Sequence, residues 1–267
     1  SNHVTQLLLE EKVLQNKTSP ACKAQWNHHR LQNQDTHRQK PLFHVVPFLL
    51  HINHPDFPGY VDDPEVPFGL NNYSLRQDVI DALHLVFKKK QHVLAKMRKL
   101  WPKERMVDAL VLMGSIGTIG QSPNSEFACW GGLDGERYSE RKLSLLKQKL
   151  QLIENWAAKK NIEVHFFVSE IEKVKNNDFG AADSESSGSA QAIFLKAEFY
   201  TTNIVVAGKA PFWWLMPEKT TDEQYYELID ALKESESPDP NWFMDLGNLR
   251  KMDPNELFGA AIWQISK

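Results

Sequence analysis

The sequence predicts an α+β fold, with helices packed on a small mixed sheet behind an irregular amino-terminal lead-in. Three observations carry this. A short apolar run from Ala109 to Met113 stops at Gly114 and reads as a buried strand. Ile162, Val164, Phe166 and Val168 alternate with Glu163, His165 and Phe167, the pattern of a strand with two unlike faces. Between them, Leu143, Leu146, Leu150, Ile153 and Ala157 recur at helical spacing.

The elements follow in order. Residues 1–40 are polar around Leu7, Leu8 and Leu9, and read as a helical arm separate from a single domain at 41–267. From Pro41 to Tyr73 prolines and aromatics crowd together, which argues for an ordered but irregular lead-in. Ser74 is placed to cap a helix that turns Leu75, Val79, Leu83, Val86 and Leu94 inward, with Pro102 beyond its end. After the first strand and its loop, Glu126 to Trp130 reads as a second strand and Ser139 to Lys160 as a helix, whose last lysines suit its negative end. A polar loop at 176–189 leads to a helix near Ala190 to Val206, and a further helix covers Asp222 to Lys233. Prolines 238, 240 and 254 punctuate the tail before a last amphipathic helix at 255–265. There is no internal repeat.

Composition narrows the function classes. With 42% hydrophobic and 24% charged residues the chain sits within globular usage. The net charge is −3, from 31 basic and 34 acidic residues, so no overall field favours nucleic acid as a partner. No apolar run approaches the roughly 18 residues that span a bilayer, and no secretion signal is visible. Cys22 and Cys129 are too few for a disulfide framework. A cytoplasmic address is the expectation. The chain opens on Ser-Asn rather than Met, which leaves its full length open.

The loop Gly114-Ser115-Ile116-Gly117-Thr118-Ile119-Gly120-Gln121-Ser122 is the first candidate for chemistry, because glycines let backbone amides and short hydroxyls approach phosphate oxygens. It is neither a Walker loop nor a dinucleotide fingerprint, and a plain tight turn remains the alternative. A strand, Gly-Ser, a helix-forming stretch and a second strand carrying acids two residues apart together make the nucleotidyltransferase arrangement. Carboxylates at i and i+2 of a strand face one side and can hold two cations on a nucleotide's phosphates. Here Glu126 is followed two residues on by Ala128, so the pair is incomplete.

Leu112-Met113-Gly114-Ser115, Gly120-Gln121-Ser122, Ser125 and Leu152-Ile153-Glu154-Asn155-Trp156-Ala157-Ala158 resemble class I, enterobacterial-type adenylate cyclases. His54-Pro55, Pro58-Gly59-Tyr60, Gly188-Ser189, Glu198-Phe199-Tyr200, Ala207-Gly208-Lys209 and Asp245-Leu246-Gly247 extend the likeness from about Pro41 onward. The resemblance implies an N-terminal catalytic domain of the DNA polymerase beta-type nucleotidyltransferase fold, converting ATP to cyclic AMP and pyrophosphate with Mg²⁺ or Mn²⁺. By resemblance, Gly114, Ser115, Ser122 and Lys209 would bind the nucleotide. Glu126 would stand at the first acid of the family's Asp-x-Asp pair and Ala128 at the second; Glu163, on the polar face of the expected neighbouring strand, is the candidate third carboxylate, and Glu126 and Glu163 would hold metal. Loss of one ligand, at about 4 kcal/mol of transition-state stabilisation, would slow the reaction roughly a thousandfold. The other class is a non-catalytic nucleotide-binding or protein-interaction domain with a regulatory role.

Other conspicuous residues read as structural. His51 and His54 lack a companion ligand set, and Cys129 would face away from a pair at 126 and 128. Trp213 and Trp214 read as core strand residues rather than a stacking platform. Lys209 in its Gly-Lys turn reads as solvated if it is not on phosphate. Ser115, His165 and Asp183 have no recognisable nucleophile setting.

Overall fold

The structure, a computed structural model, describes residues 40–113, 127–133, 138–162, 164–178, 196–197, 199–200, 204–217, 220–236 and 239–249. These fall into two compact units, the first drawn from 40–168 and 204–209, the second from 169–200 and 210–249. The predicted arm at 1–40 as far as residue 39, the loop at 176–189 from residue 179 on, and the tail helix lie outside the described residues.

The first unit opens with helix α1, Lys40–His51, where the sequence predicts irregular chain. Pro47 inside it removes a backbone donor, at a cost of about 3 kcal/mol. Burial of Val45, Phe48, Leu49 and Leu50 offsets that, at about 1.5–3 kcal/mol per large side chain. The irregular lead-in begins only at Ile52. Helix α2, Gln77–Val86, starts later than Ser74 predicts, with Arg76 at its N-cap and no side-chain cap bond. Asp78 in its first turn accepts from the Val79 amide at 3.0 Å. The expected continuation to Leu94 breaks at Phe87, whose ring meets Phe57 edge-on at 5.2 Å and stacks with Trp156 at 5.7 Å. A 3-10 turn, Lys88–Lys90, and a single helical turn α3, Gln91–Leu94, follow.

Strand β1, Ala109–Met113, has the predicted bounds. It pairs antiparallel with β2, Phe127–Leu133, in register from Ala109 opposite Gly132 to Met113 opposite Ala128. Helix α4, Glu140–Ala158, matches its prediction; Ser139 caps it by accepting from the Lys142 amide at 3.3 Å. Leu146, Leu150, Ile153 and Ala157 form its buried stripe. Asn161, at φ +58, and the bond from the Ile162 amide to Ala157 close the helix. Ile162 is therefore spent on the helix end, and β3 runs Val164–Glu170. Glu154 of α4 accepts from the Phe166 amide at 2.7 Å and ties helix to strand.

The largest difference from the sequence reading is β4, Ile204–Gly208, where a helix was predicted to reach Val206. It pairs antiparallel with β1, with a register irregularity between Leu110 and Val111, and completes the order β3-β2-β1-β4. The β-branched Ile204-Val205-Val206 suits a pleated strand and crowds a helix. Helical backbone is confined to 196–197 and 199–200 among the described residues of that stretch.

The second unit contains a short helix α5, Ile171–Lys175, and two-residue strands β5, Ala210–Pro211, and β6, Phe243–Met244, paired in parallel. Helix α6, Asp222–Lys233, has the predicted bounds and a full capping box between Thr221 and Gln224. Phe212, Tyr225, Leu228, Ile229, Leu232 and Phe243 form its core. Trp213 and Trp214 lie in a 3-10 turn, Phe212–Leu215, rather than in a strand. Trp214 is buried and donates to the Tyr200 carbonyl at 3.0 Å, while Trp213 stacks on the Tyr200 ring at 4.6 Å. No helix among the described residues is long and apolar enough to cross a membrane.

Candidate nucleotide site

The end of β1 defines where the predicted site falls. Met113, its last residue, pairs with Ala128, and Gly114 and Ser115 follow directly in sequence. Gly114, Ser115, Ser122, Glu126 and Glu163 themselves lie outside the described residues. Glu126 immediately precedes β2 and Glu163 immediately precedes β3, the neighbour of β2 in the sheet. Among the described residues no group of three His, Cys, Asp or Glu is placed to hold a metal ion.

Lys209 belongs to the other end of the sheet. Gly208 pairs with Ala109, four residues before Met113, which is roughly 14 Å along a strand rising about 3.4 Å per residue. The Lys209 Nζ lies 2.8 Å from Asp108 Oδ1, a carboxylate only 1% exposed, so the solvated reading of this lysine is corrected. A buried carboxylate is stable there only with hydrogen bonds and a countercharge. Asn71 Nδ2 donates to the same oxygen at 3.0 Å, and the Lys209 amide donates to the Asp108 carbonyl at 2.7 Å. Gly208, at φ +103, makes the crossing possible: a Cβ there would stand 2.3 Å from the Asp108 carbonyl oxygen.

Sequence reading overlooked Lys149. It is three residues from Leu146 and four from Ile153, so its place on the apolar stripe of α4 was the available signal. Its ammonium is buried and donates to the Ile52 carbonyl at 2.7 Å and the Gly59 carbonyl at 2.9 Å. Burial pushes this lysine down to about 7. One side chain thereby fastens both ends of the 52–59 lead-in to α4. Gly59, at φ +83, comes close enough to Ile153 that an added Cβ would lie 2.6 Å from its Cγ1.

His51 and His54 are structural, as their lack of companion ligands suggested. The Leu70 amide donates to His51 Nδ1 at 3.0 Å, and the ring packs against Tyr73 and Trp101. Burial, with the Arg105 charge adding to it, holds His51 down at about 3, so it is neutral. His54 Nδ1 accepts from the Asp56 amide at 3.2 Å and shapes the following turn.

The described elements define a mixed α/β protein built on small sheets, in which β1 and β2, the strands that flank the predicted site in sequence, pair antiparallel. The chain belongs to the adenylate cyclase N-terminal domain family, whose model it matches over residues 15–214. The adenylate cyclase of Salmonella typhimurium is 34% identical over 235 residues, covering 85% of this chain and 26% of its own. That of Escherichia coli K12 is 33% identical over 230 residues and that of Yersinia pestis 32% over 238, with the same coverage. The chain thus spans about a quarter of the length of these curated relatives. No solved structure matches it.

Proposed function

We propose that the chain is the nucleotide-binding N-terminal part of a class I adenylate cyclase, of DNA polymerase beta-type nucleotidyltransferase fold, whose ATP site is kept and whose acidic metal pair is broken. The pairing of Ala128 with Met113 is the observation that supports this most directly. Ala128 carries no ligand atom and pairs with Met113, the residue before Gly114 in sequence, and the arrangement calls for a carboxylate at this position of the strand. Gly114, Ser115 and Ser122 are the phosphate-binding groups in this reading. Lys209, committed to Asp108 at the other end of β1, has no part in it.

Mg²⁺ or Mn²⁺ would supply charge neutralisation and polarise the attacked α-phosphate. The remaining acids, Glu126 and Glu163, do not make up the set that two cations need, and Glu126 is a methylene longer than the family's Asp. The protein therefore works as a cytoplasmic nucleotide-responsive domain, with a protein partner or an attached regulatory domain as its output.

Incubating the chain with ATP and either cation, with detection of cyclic AMP, tests the broken pair. The expected result is negligible product, rising by a factor on the order of 10²–10³ in the Glu126→Asp, Ala128→Asp double variant. Cyclase activity undiminished in the unaltered chain would overturn it. Retained ATP binding predicts a higher Tm at millimolar ATP in both proteins, and no shift in either removes the nucleotide site.

A further inference from the structure

The segment from Lys88 to Arg105 carries eight basic residues, Lys88, Lys89, Lys90, Lys96, Arg98, Lys99, Lys103 and Arg105, against one acid, Glu104. A chain of net charge −3 thus concentrates positive charge in one short stretch. Lys90 is spent on Asp56 at 2.5 Å. Lys96, Arg98 and Lys99 are exposed and, among the described residues, engaged in no ion pair.

These three line a cavity of about 950 Å³ within the first unit. Its floor is apolar, built by Leu75, Ile80, Leu94, Met97 and Trp101. Tyr73 also lines it; the ring stacks with Trp101 at 6.0 Å, and its buried hydroxyl finds no hydrogen-bond partner among the described residues. The size is that of a small-molecule site, at the upper end of the usual range of roughly 300–1,000 Å³. Among the described residues no carboxylate or carboxamide lines it to read a base or a ribose, which argues against a nucleotide. An apolar floor under a rim of three cations complements one chemistry.

We propose that this cavity binds a single-chain anionic amphiphile, its hydrocarbon on the apolar floor and its carboxylate or phosphate head held by Lys96, Arg98 and Lys99. Affinity then grows with chain length, about fourfold per added methylene while the floor extends. It also requires the head, through charge-assisted hydrogen bonds that salt weakens.

Calorimetric titration of the whole chain with octanoate, decanoate and dodecanoate, each below its micelle concentration, tests this, with decyl phosphate to compare heads. Decanol and inorganic phosphate are the controls lacking head and tail. The expected result is chain-length-dependent binding of the anions and at least tenfold weaker binding of either control. Lys96→Glu, Arg98→Glu, Lys99→Glu should weaken decanoate at least tenfold, and Ala95→Trp, at an exposed lining position, should do so by filling the cavity. Circular dichroism checks that both variants keep the fold. Decanol binding as tightly as decanoate, binding untouched in both variants, or uptake only onto anionic vesicles would each overturn the proposal.

Discussion

Lys209 Nζ stands 2.8 Å from Asp108 Oδ1, and the two residues join the start of β1 to the end of β4. The Gly208-Lys209 turn thus serves the sheet. Lys209→Met leaves a carboxylate 1% exposed without that ammonium, and is expected to cost about 3 kcal/mol in urea denaturation. Adding Asp108→Asn should recover part of the loss, a coupling that a double-mutant cycle reads directly. The rise in Tm with ATP that the proposed function expects should persist in Lys209→Met, since the lysine follows the Gly208 paired with Ala109, at the opposite end of β1 from Met113.

Gly208→Ala attacks the same junction through the backbone. The position holds φ +103, and the new Cβ would lie 2.3 Å from the Asp108 oxygen and 2.5 Å from the Ala109 Cα. Backbone on both sides cannot swing away as a side chain would. A loss of about 3 kcal/mol is expected, seen as a lower urea midpoint with unchanged slope. A change under 0.5 kcal/mol would show that the turn adopts another conformation.

Much of this fold was legible because its signals are local. β1 is an uninterrupted apolar run ended by a glycine, and α4 and α6 announce themselves by stripe and cap. β4 does carry a local signal in the β-branched Ile204-Val205-Val206, but a run this short is settled by its pairing with β1, about a hundred residues earlier, which sequence does not display. Proline 47 concealed α1 in the same way, its cost being met by packing that only tertiary structure reveals. Lys149 stood in plain view on an apolar stripe, but spacing does not say that backbone carbonyls wait for it. Of the candidate site, only the motif text is legible in sequence: Gly114-Ser115, and Glu126 followed two residues on by Ala128. The far placement of Lys209 depended on strand register, and the basic cavity rim was hidden by a net charge near zero.

His51 makes the chain acid-sensitive. Its folded-state value of about 3 lies below the ordinary 6.5, so between these limits the unfolded chain binds more protons. The neutral ring's contribution is complete above pH 6.5 and is lost as pH falls toward 3, with a slope of up to about 1.4 kcal/mol per pH unit. His51→Gln retains an acceptor for the Leu70 amide but does not titrate. Its stability, followed by thermal or urea unfolding, should fall less steeply between pH 6 and pH 4 than that of the unaltered chain.

Lys149 acts in the alkaline range with the same sign. Its folded value of about 7 lies below the ordinary 10.5, because burial penalises the ammonium. Between those limits the unfolded chain binds more protons, so stability rises with pH from 7 upward, by up to about 1.4 kcal/mol per unit. Lys149→Met removes the titration but strips the donor from the Ile52 and Gly59 carbonyls, at about 1–3 kcal/mol for each acceptor left bare. The variant should therefore be the less stable protein at pH 9. At pH 7, where the unaltered chain bears the full cost of its buried charge, the gap should narrow by about 2 kcal/mol. Urea denaturation of both proteins at pH 7, 8 and 9 makes the comparison, and parallel curves would show that this ammonium reaches water in the folded state. The lead-in should respond as well: without the lysine, amides of residues 52–59 should exchange with solvent faster than those of α4, because their tether to that helix is gone.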